Sequence, residues 1–365
     1  MKVGLVLGAG GVLGGAWHTG ALAALAQETD WDPASAEYIV GTSAGSLIGS
    51  LVAAGVPPWF MVAHSGGESF EGLTGPDGRP ARDADRSGGA NFSLHRGLPG
   101  LGPGSLRMAA TTLVNPLRHT PLQLLAGWLP AGFMSTDSLK DTVRRAVPGR
   151  WVEHKSFWAV ATDFHTGKRV PFGRIGSPPA DVADAVAASC AIPGFFRPVE
   201  IGGRRYVDGG VCSVSNLDLL AGRGLDVVIC LNPLSSLDRD GSLNPIARFG
   251  QLTRSASGRR LGHEARKVRA YGTEVVLIQA TAADRAVMGG NMMSGKRRHE
   301  VIETAVRTVA EQLRERGLTD RLKELPKGQP HKLRRPPGPP STWPEIVPSA
   351  RPRRGPARER ARRAA

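Results

Sequence analysis

The stretch VGTSAGS (Val40–Ser46) joins an apolar run, AEYIV (Ala36–Val40), to a pattern with helical spacing, AGSLIGSLVAAG (Ala44–Gly55). At its centre Gly41-Thr42-Ser43-Ala44-Gly45 spells G-x-S-x-G, with a strand before it and a helix after it. That context is what gives the pentapeptide meaning. A turn this sharp holds a serine in a strained backbone conformation with its oxygen exposed. Small residues at Gly41 and Gly45 let strand and helix pass close together. The competing reading is a helix-capping serine, since serine is a favoured N-cap.

The segment upstream decides between them. KVGLVLG (Lys2–Gly8) reads as a buried parallel strand and runs into GAGGVLG (Gly8–Gly14). A helical pattern, GAWHTGALAALAQE, follows. Glycines after a strand let backbone N–H groups approach a negative oxygen, helped by the N-terminus of the next helix. A dinucleotide site would also want an acid at the end of the second strand. Here that strand ends in Val40-Gly41-Thr42-Ser43. The two turns together favour Ser43 as a nucleophile, with the N–H groups of the glycine loop and of Ala44 as an oxyanion hole. A β-α-β-α order within sixty residues predicts a mostly parallel sheet with crossover helices.

A serine nucleophile needs a base, and the histidines are poorly placed for it. His263 and His299 lie in charged helical stretches, His331 is near the C-terminus, and His18 reads as a packing residue. Arg205-Tyr206-Val207-Asp208-Gly209-Gly210 instead puts an aspartate at the end of an apolar strand. In an open α/β sheet the C-terminal strand ends line the reaction crevice. An ordinary aspartate, with a pKa near 3.9, is too acidic to deprotonate serine alone. It serves as a dry, aligned acceptor whose proton transfer is concerted with attack. Read in isolation, Asp-Gly-Gly is a hairpin turn.

In combination, the glycine loop, the early G-x-S-x-G and the late Asp-Gly-Gly resemble the patatin-like phospholipase family. ATDFHTGK (Ala161–Lys168), ASCAIPGFFRPV (Ala188–Val199) and Asn216 add to the likeness, which spans roughly Lys2 to Ala280. The resemblance implies a three-layer α/β/α fold and a Ser-Asp dyad acyl hydrolase with no metal or cofactor. It implies Ser43 as nucleophile, Asp208 as base, and Gly10, Gly11 and Gly14 as the oxyanion loop. The implied substrates are phospholipids, lysophospholipids or other acyl esters. Two positions depart from the family pattern. Leu13 stands where a basic residue is usual, and Ala9 stands where a glycine is. The rival reading is a retired enzyme of the same fold that binds lipid or acts as a scaffold.

Composition bounds the rest. The 365 residues carry a formal charge of +15, of which eleven Lys or Arg against two Glu after residue 325 supply +9. That stretch also holds ten of the 28 prolines, so 326–365 is expected to be a disordered basic tail and 1–325 the hydrolase domain. Residues 60–150 read as an insertion or lid, whose apolar part, Leu113–Met134, is expected to pack on the core, or else to make an acyl pocket or an interfacial surface. The tail offers peripheral contact with anionic lipid; nucleic acid is the weaker alternative. Cys190, Cys212 and Cys230 have no metal spacing and fit reduced thiols in a cytoplasmic setting. No apolar run is long enough to span a bilayer, and the glycines of the first fifteen residues break any signal-peptide helix.

Overall fold

The computed structural model describes residues 1–66, 102–114, 121–147, 149–235 and 245–335. Most of the glycine-rich part of the expected insertion and the tail beyond 335 lie outside the described residues. In chain order the first half comprises β1 (Val3–Leu7), α1 (Gly11–Thr29), β2 (Tyr38–Thr42), α2 (Ala44–Ala53), α3 (Pro58–Ser65), α4 (Leu106–Val114), α5 (Pro121–Ala126) and α6 (Asp137–Ala146). There follow β3 (Phe157–Asp163), β4 (Arg169–Phe172), α7 (Val182–Ser189), β5 (Val199–Ile201) and β6 (Arg204–Asp208). The last elements are β7 (Val227–Asn232), α8 (Pro245–Arg269), β8 (Glu274–Gln279), α9 (Ala282–Met288) and α10 (Arg298–Glu315).

The strands form one sheet in the order β5-β6-β3-β2-β1-β7-β8, with β4 pairing β3 off that path. Its centre, β3-β2-β1-β7-β8, is parallel. The central strands are apolar on both faces, as a sheet covered by helices on both sides requires. Alternate residues separate cleanly into two cores. Leu5, Leu7, Ile39, Phe157, Ala159 and Ile229 face a large layer built from α1, α2, α3, α6, α7 and α10. Val6, Val40, Trp158, Val160 and Val228 face a smaller one capped by α8 and the turn Leu217–Leu220. The three-layer α/β/α expectation is met.

Asp208 arrives on a strand of the other sense, for β6 runs antiparallel to β3. Residues 159 and 160 of β3 pair β4 on one side and β2 on the other, while residues 161 and 162 pair β4 and β6. Strand β6 therefore takes up the place beside β3 that β2 vacates. Thr42 lies opposite Val160 and Asp208 lies opposite Ala161, the next position. As β2 turns away at Ser43, β6 arrives with Asp208.

The tail boundary shifts. Residues 326–335 were assigned to the tail on composition, yet they dock on the turn after α1. The amide of Gly328 donates to the Asp30 carbonyl at 2.8 Å, and Lys327 donates its ammonium to the Thr29 carbonyl at 3.0 Å. Leu333 is buried. A single leucine and a few backbone bonds fall below what composition can reveal.

Helices α1 and α10 run side by side in the same direction, from the contact of Gly20 with Ile302 to the Glu28–Arg314 ion pair at 2.8 Å. A β-carbon on Gly20 would sit 2.5 Å from the Ile302 carbonyl oxygen and 2.9 Å from the Ala305 side chain. Although alanine is the better helix former by about 1 kcal/mol, Gly20→Ala is expected to destabilise the protein by about 1–3 kcal/mol through overpacking. Urea unfolding measures this; an unchanged or raised midpoint would contradict the close packing.

Candidate active site

Ser43 has φ 53° and ψ −125°, a left-handed-side conformation that costs a non-glycine residue on the order of 1–3 kcal/mol. The surroundings hold it there. Its N–H donates to the Ser189 hydroxyl at 2.9 Å, and that hydroxyl donates onward to the Val160 carbonyl at 2.6 Å. Its carbonyl accepts from the N–H and the hydroxyl of Ser46, at 2.8 and 2.7 Å. Helix α2 begins immediately at Ala44, but Ser43 makes no side-chain cap hydrogen bond. The capping reading of Ser43 fails on that point.

The flanking glycines are required by close approach. A β-carbon on Gly45 would fall 2.1 Å from the Leu7 carbonyl oxygen, and one on Gly41 would fall 2.4 Å from the Ser46 α-carbon. The elbow thus packs directly on the end of β1, which delivers the glycine loop to the same place.

In that loop the amides divide into two sets. Gly8 donates to Leu231, Ala9 to Val214, Leu13 to Met292 and Gly14 to Gly10. Gly14 was expected among the oxyanion donors; its N–H is taken by the Gly10 carbonyl at 2.9 Å. What Gly14 provides is room, since the Gly10 and Gly14 backbones nearly touch. The N–H groups of Gly10, Gly11 and Ala44 have no acceptor among the described residues. Gly11, at φ 61°, could not carry a side chain without strain and contact with Met292. Leu13, in place of the usual basic residue, is buried in the main core, and its N–H reaches the Met292 carbonyl at 3.0 Å. The loop is thereby steadied by packing where a charge was expected.

Asp208 is buried, and its carboxylate accepts the Gly210 N–H at 2.7 Å, with the Ser43 hydroxyl near enough to favour its charged form. Burial outweighs both influences and raises its pKa from 3.8 to about 6. Thr162 donates its hydroxyl to the Asp208 carbonyl at 3.0 Å. A second set of bonds fixes the strand end before the elbow. Asn216, itself at φ 53°, donates its amide to the Thr42 hydroxyl at 2.9 Å and accepts Arg169 at 3.1 Å. Arg169 also makes a two-pronged pair with Asp218 at 2.6 and 3.1 Å.

Ser43 and Ala44 open into a cavity of about 180 Å³ between α1 and α2. Leu47, Ile48, Leu51, Leu139, Ile192 and Phe196 give it an apolar lining. The Cys190 thiol lies there too, beside the Ser46 hydroxyl at 3.8 Å, but burial pushes it far above the range where it ionises. His18 is remote from proton transfer: its Nε2 meets the Gly8 carbonyl at 2.7 Å, and burial lowers its pKa to about 4, so it stays neutral. His64 lines the same cavity, stacked on Phe60. Sequence reading missed Ser189 and His64; a serine at a helix end and a histidine before a glycine run carry no local signal.

Comparison with known proteins gives the family. A model of the family described as Patatin-like phospholipase matches residues 5–221. Uncharacterized NTE family proteins of Mycobacterium tuberculosis and Mycobacterium bovis are 36% identical over 104 residues. That stretch amounts to 28% of this chain and 28% of each relative, so the chain spans well under a third of the relatives it matches. VipD from Legionella pneumophila superposes over 86% of this chain and 67% of its own, at 13% identity and a TM-score of 0.40. With more than half of its length matched by the family model, this chain belongs to the patatin-like phospholipase family.

Proposed function

We propose that the protein hydrolyses acyl esters of lipids through Ser43 and Asp208. The observation that carries the reading is the nearness of the Ser43 hydroxyl to the buried Asp208 carboxylate, where β2 gives way to β6, with Ser43 opening into an apolar cavity. Ser43 attacks the ester carbonyl while its proton passes to Asp208. The oxygen of the tetrahedral intermediate takes charge, and the amides of Gly10, Gly11 and Ala44 stabilise it. Collapse expels the alcohol, which leaves with the proton from Asp208, and an acyl-enzyme remains. Water, deprotonated by Asp208 in its turn, attacks this ester; the acid departs and Ser43 recovers its proton. A carboxylate held near pH 6 is a better acceptor than an exposed one, which compensates in part for the absence of histidine. The apolar lining suits an acyl chain, and family membership places lipid esters first among substrates.

Hydrolysis of a panel of nitrophenyl esters and phospholipids, followed by mass spectrometry, tests this. Ser43→Ala is expected to lower kcat at least about a thousandfold and to leave the fold intact. Retention of turnover in that variant would refute the dyad.

Asp208 also ties activity to pH. The carboxylate form is the acceptor, so kcat/KM should rise as pH passes through about 6. A profile flat from pH 4.5 to about 8 would contradict that assignment.

The same shift has a cost in stability. A carboxyl whose folded pKa is raised favours folding only while protonated, so its contribution is lost as pH climbs from 3.8 to about 6. Asp208→Asn should therefore abolish activity yet raise stability at pH 8 by roughly 2–3 kcal/mol. The gain should vanish near pH 4. Thermal unfolding at the two pH values reads this, and a variant less stable than the parent at pH 8 would contradict it.

A further inference from the structure

The segment from Leu106 to Met134 presents large apolar side chains to solvent at one place. Leu106, Leu125 and Trp128 are 70%, 59% and 49% exposed, and Leu129 and Phe133 are nearly as open. They form one surface because the backbone ties them together. Gly104 donates to the Leu129 carbonyl at 2.9 Å and Ser105 to the Gly127 carbonyl at 3.1 Å, which sets the start of α4 beside the loop after α5. The opposite side of α4 is anchored, with Met108 and Ala109 buried. Scattered exposed leucines are ordinary on a protein surface; a tethered group that includes a tryptophan and a phenylalanine is not.

The surface leads to the cavity. Phe133 lies 6.2 Å from Phe195, and Phe195 lies edge-on to Phe196 at 4.8 Å. Phe196 lines the cavity that holds Ser43. The loop between is firm: Met134 donates to the Phe195 carbonyl at 3.0 Å, Arg197 donates back to Met134 at 3.2 Å, and Gly132 is pressed against Phe195. An apolar path of aromatic rings thus runs from solvent to the nucleophile.

Charge indicates the occupant. From Leu101 to Thr136 the sequence has Arg107 and Arg118 and not one Asp or Glu. A second copy docking through this face would find no carboxylate of this segment to recognise. A bilayer fits such a face, because its interface takes up tryptophan and leucine and no acidic side chain of the segment repels its phosphates. We propose that the surface formed by Leu106, Leu125, Trp128, Leu129 and Phe133 seats the protein on a phospholipid bilayer, with the aromatic path facing the lipid. That the path delivers substrate rests on the reading of Ser43 given above; the docking does not.

The experiment uses the full chain carrying Ser43→Ala, so that binding is read without hydrolysis. Its sedimentation with vesicles of phosphatidylcholine and phosphatidylglycerol is compared with that of the same protein bearing Leu125→Glu and Trp128→Glu. A milder pair, Leu125→Ser and Trp128→Ser, guards against misfolding, and melting temperature is followed for all. Ile175→Glu is the control: this fully exposed residue follows β4, whose Phe172 pairs Ala159, and so lies toward the start of β3, whereas Met108 and Ala126 pack at its other end with Phe164. Both double variants are expected to lose vesicle affinity about tenfold or more at unchanged melting temperature, while Ile175→Glu binds as the parent does. Absence of vesicle binding by the parent would overturn the proposal. So would binding indifferent to the double substitutions, or a dimer in light scattering that they dissolve. None of these outcomes bears on ester turnover, so the docking and the serine chemistry stand or fall separately.

Discussion

The hydroxyl of Ser189 sits between two strands, donating to the Val160 carbonyl of β3 and accepting the N–H of Ser43 as β2 ends. On that bridge, and on the pair of bonds from Ser46 to the Ser43 carbonyl, depends a backbone conformation that no serine adopts unaided. The elbow is over-determined from both sides: Gly45 is wedged on Leu7, Gly41 on Ser46, and Asn216 grips the preceding Thr42. Strain of this kind persists only where the fold outweighs it. Its effect is to turn the Ser43 oxygen out of the helix and toward the cavity.

The same register that creates the elbow supplies its partner. Because β6 continues beside β3 from the position where β2 stops, a step of one residue along β3 sets Asp208 beside the turn at Ser43. No histidine has to be carried in on a loop. The penalty is electrostatic, since the carboxylate is held in a dry place that resists its charge. Destabilisation concentrated on one ionisable group is what a working site looks like when a fold spends stability on function.

Much of this was legible in the residues. Continuous apolar runs mark β1, β2, β3, β7 and β8, because central parallel strands are buried on both faces and leave an uninterrupted apolar signature. The Gly41–Gly45 pentapeptide and Asp208-Gly209-Gly210 were recognisable because each requires glycine where backbones nearly collide. Strands β4 and β5, four and three residues long, escaped notice, since so short a segment has no period to read. The antiparallel sense of β6 is a tertiary fact that the hexapeptide Arg205–Gly210 cannot encode. Gly14 looked like its neighbours in the loop, and only the hydrogen bond to Gly10 separates it from the open donors. Ser189 acts across 146 residues of sequence and announces itself nowhere in it.

Reaction of Ser43 with a fluorophosphonate probe, read on the intact protein and then by peptide mass spectrometry, addresses the central claim most directly. The account predicts one adduct, on Ser43. Its rate of formation should climb as the pH crosses about 6 and should collapse when Asp208 is replaced by asparagine. Modification at another residue, or labelling of Ser43 that ignores both pH and Asp208, would show that the carboxylate does not activate the serine.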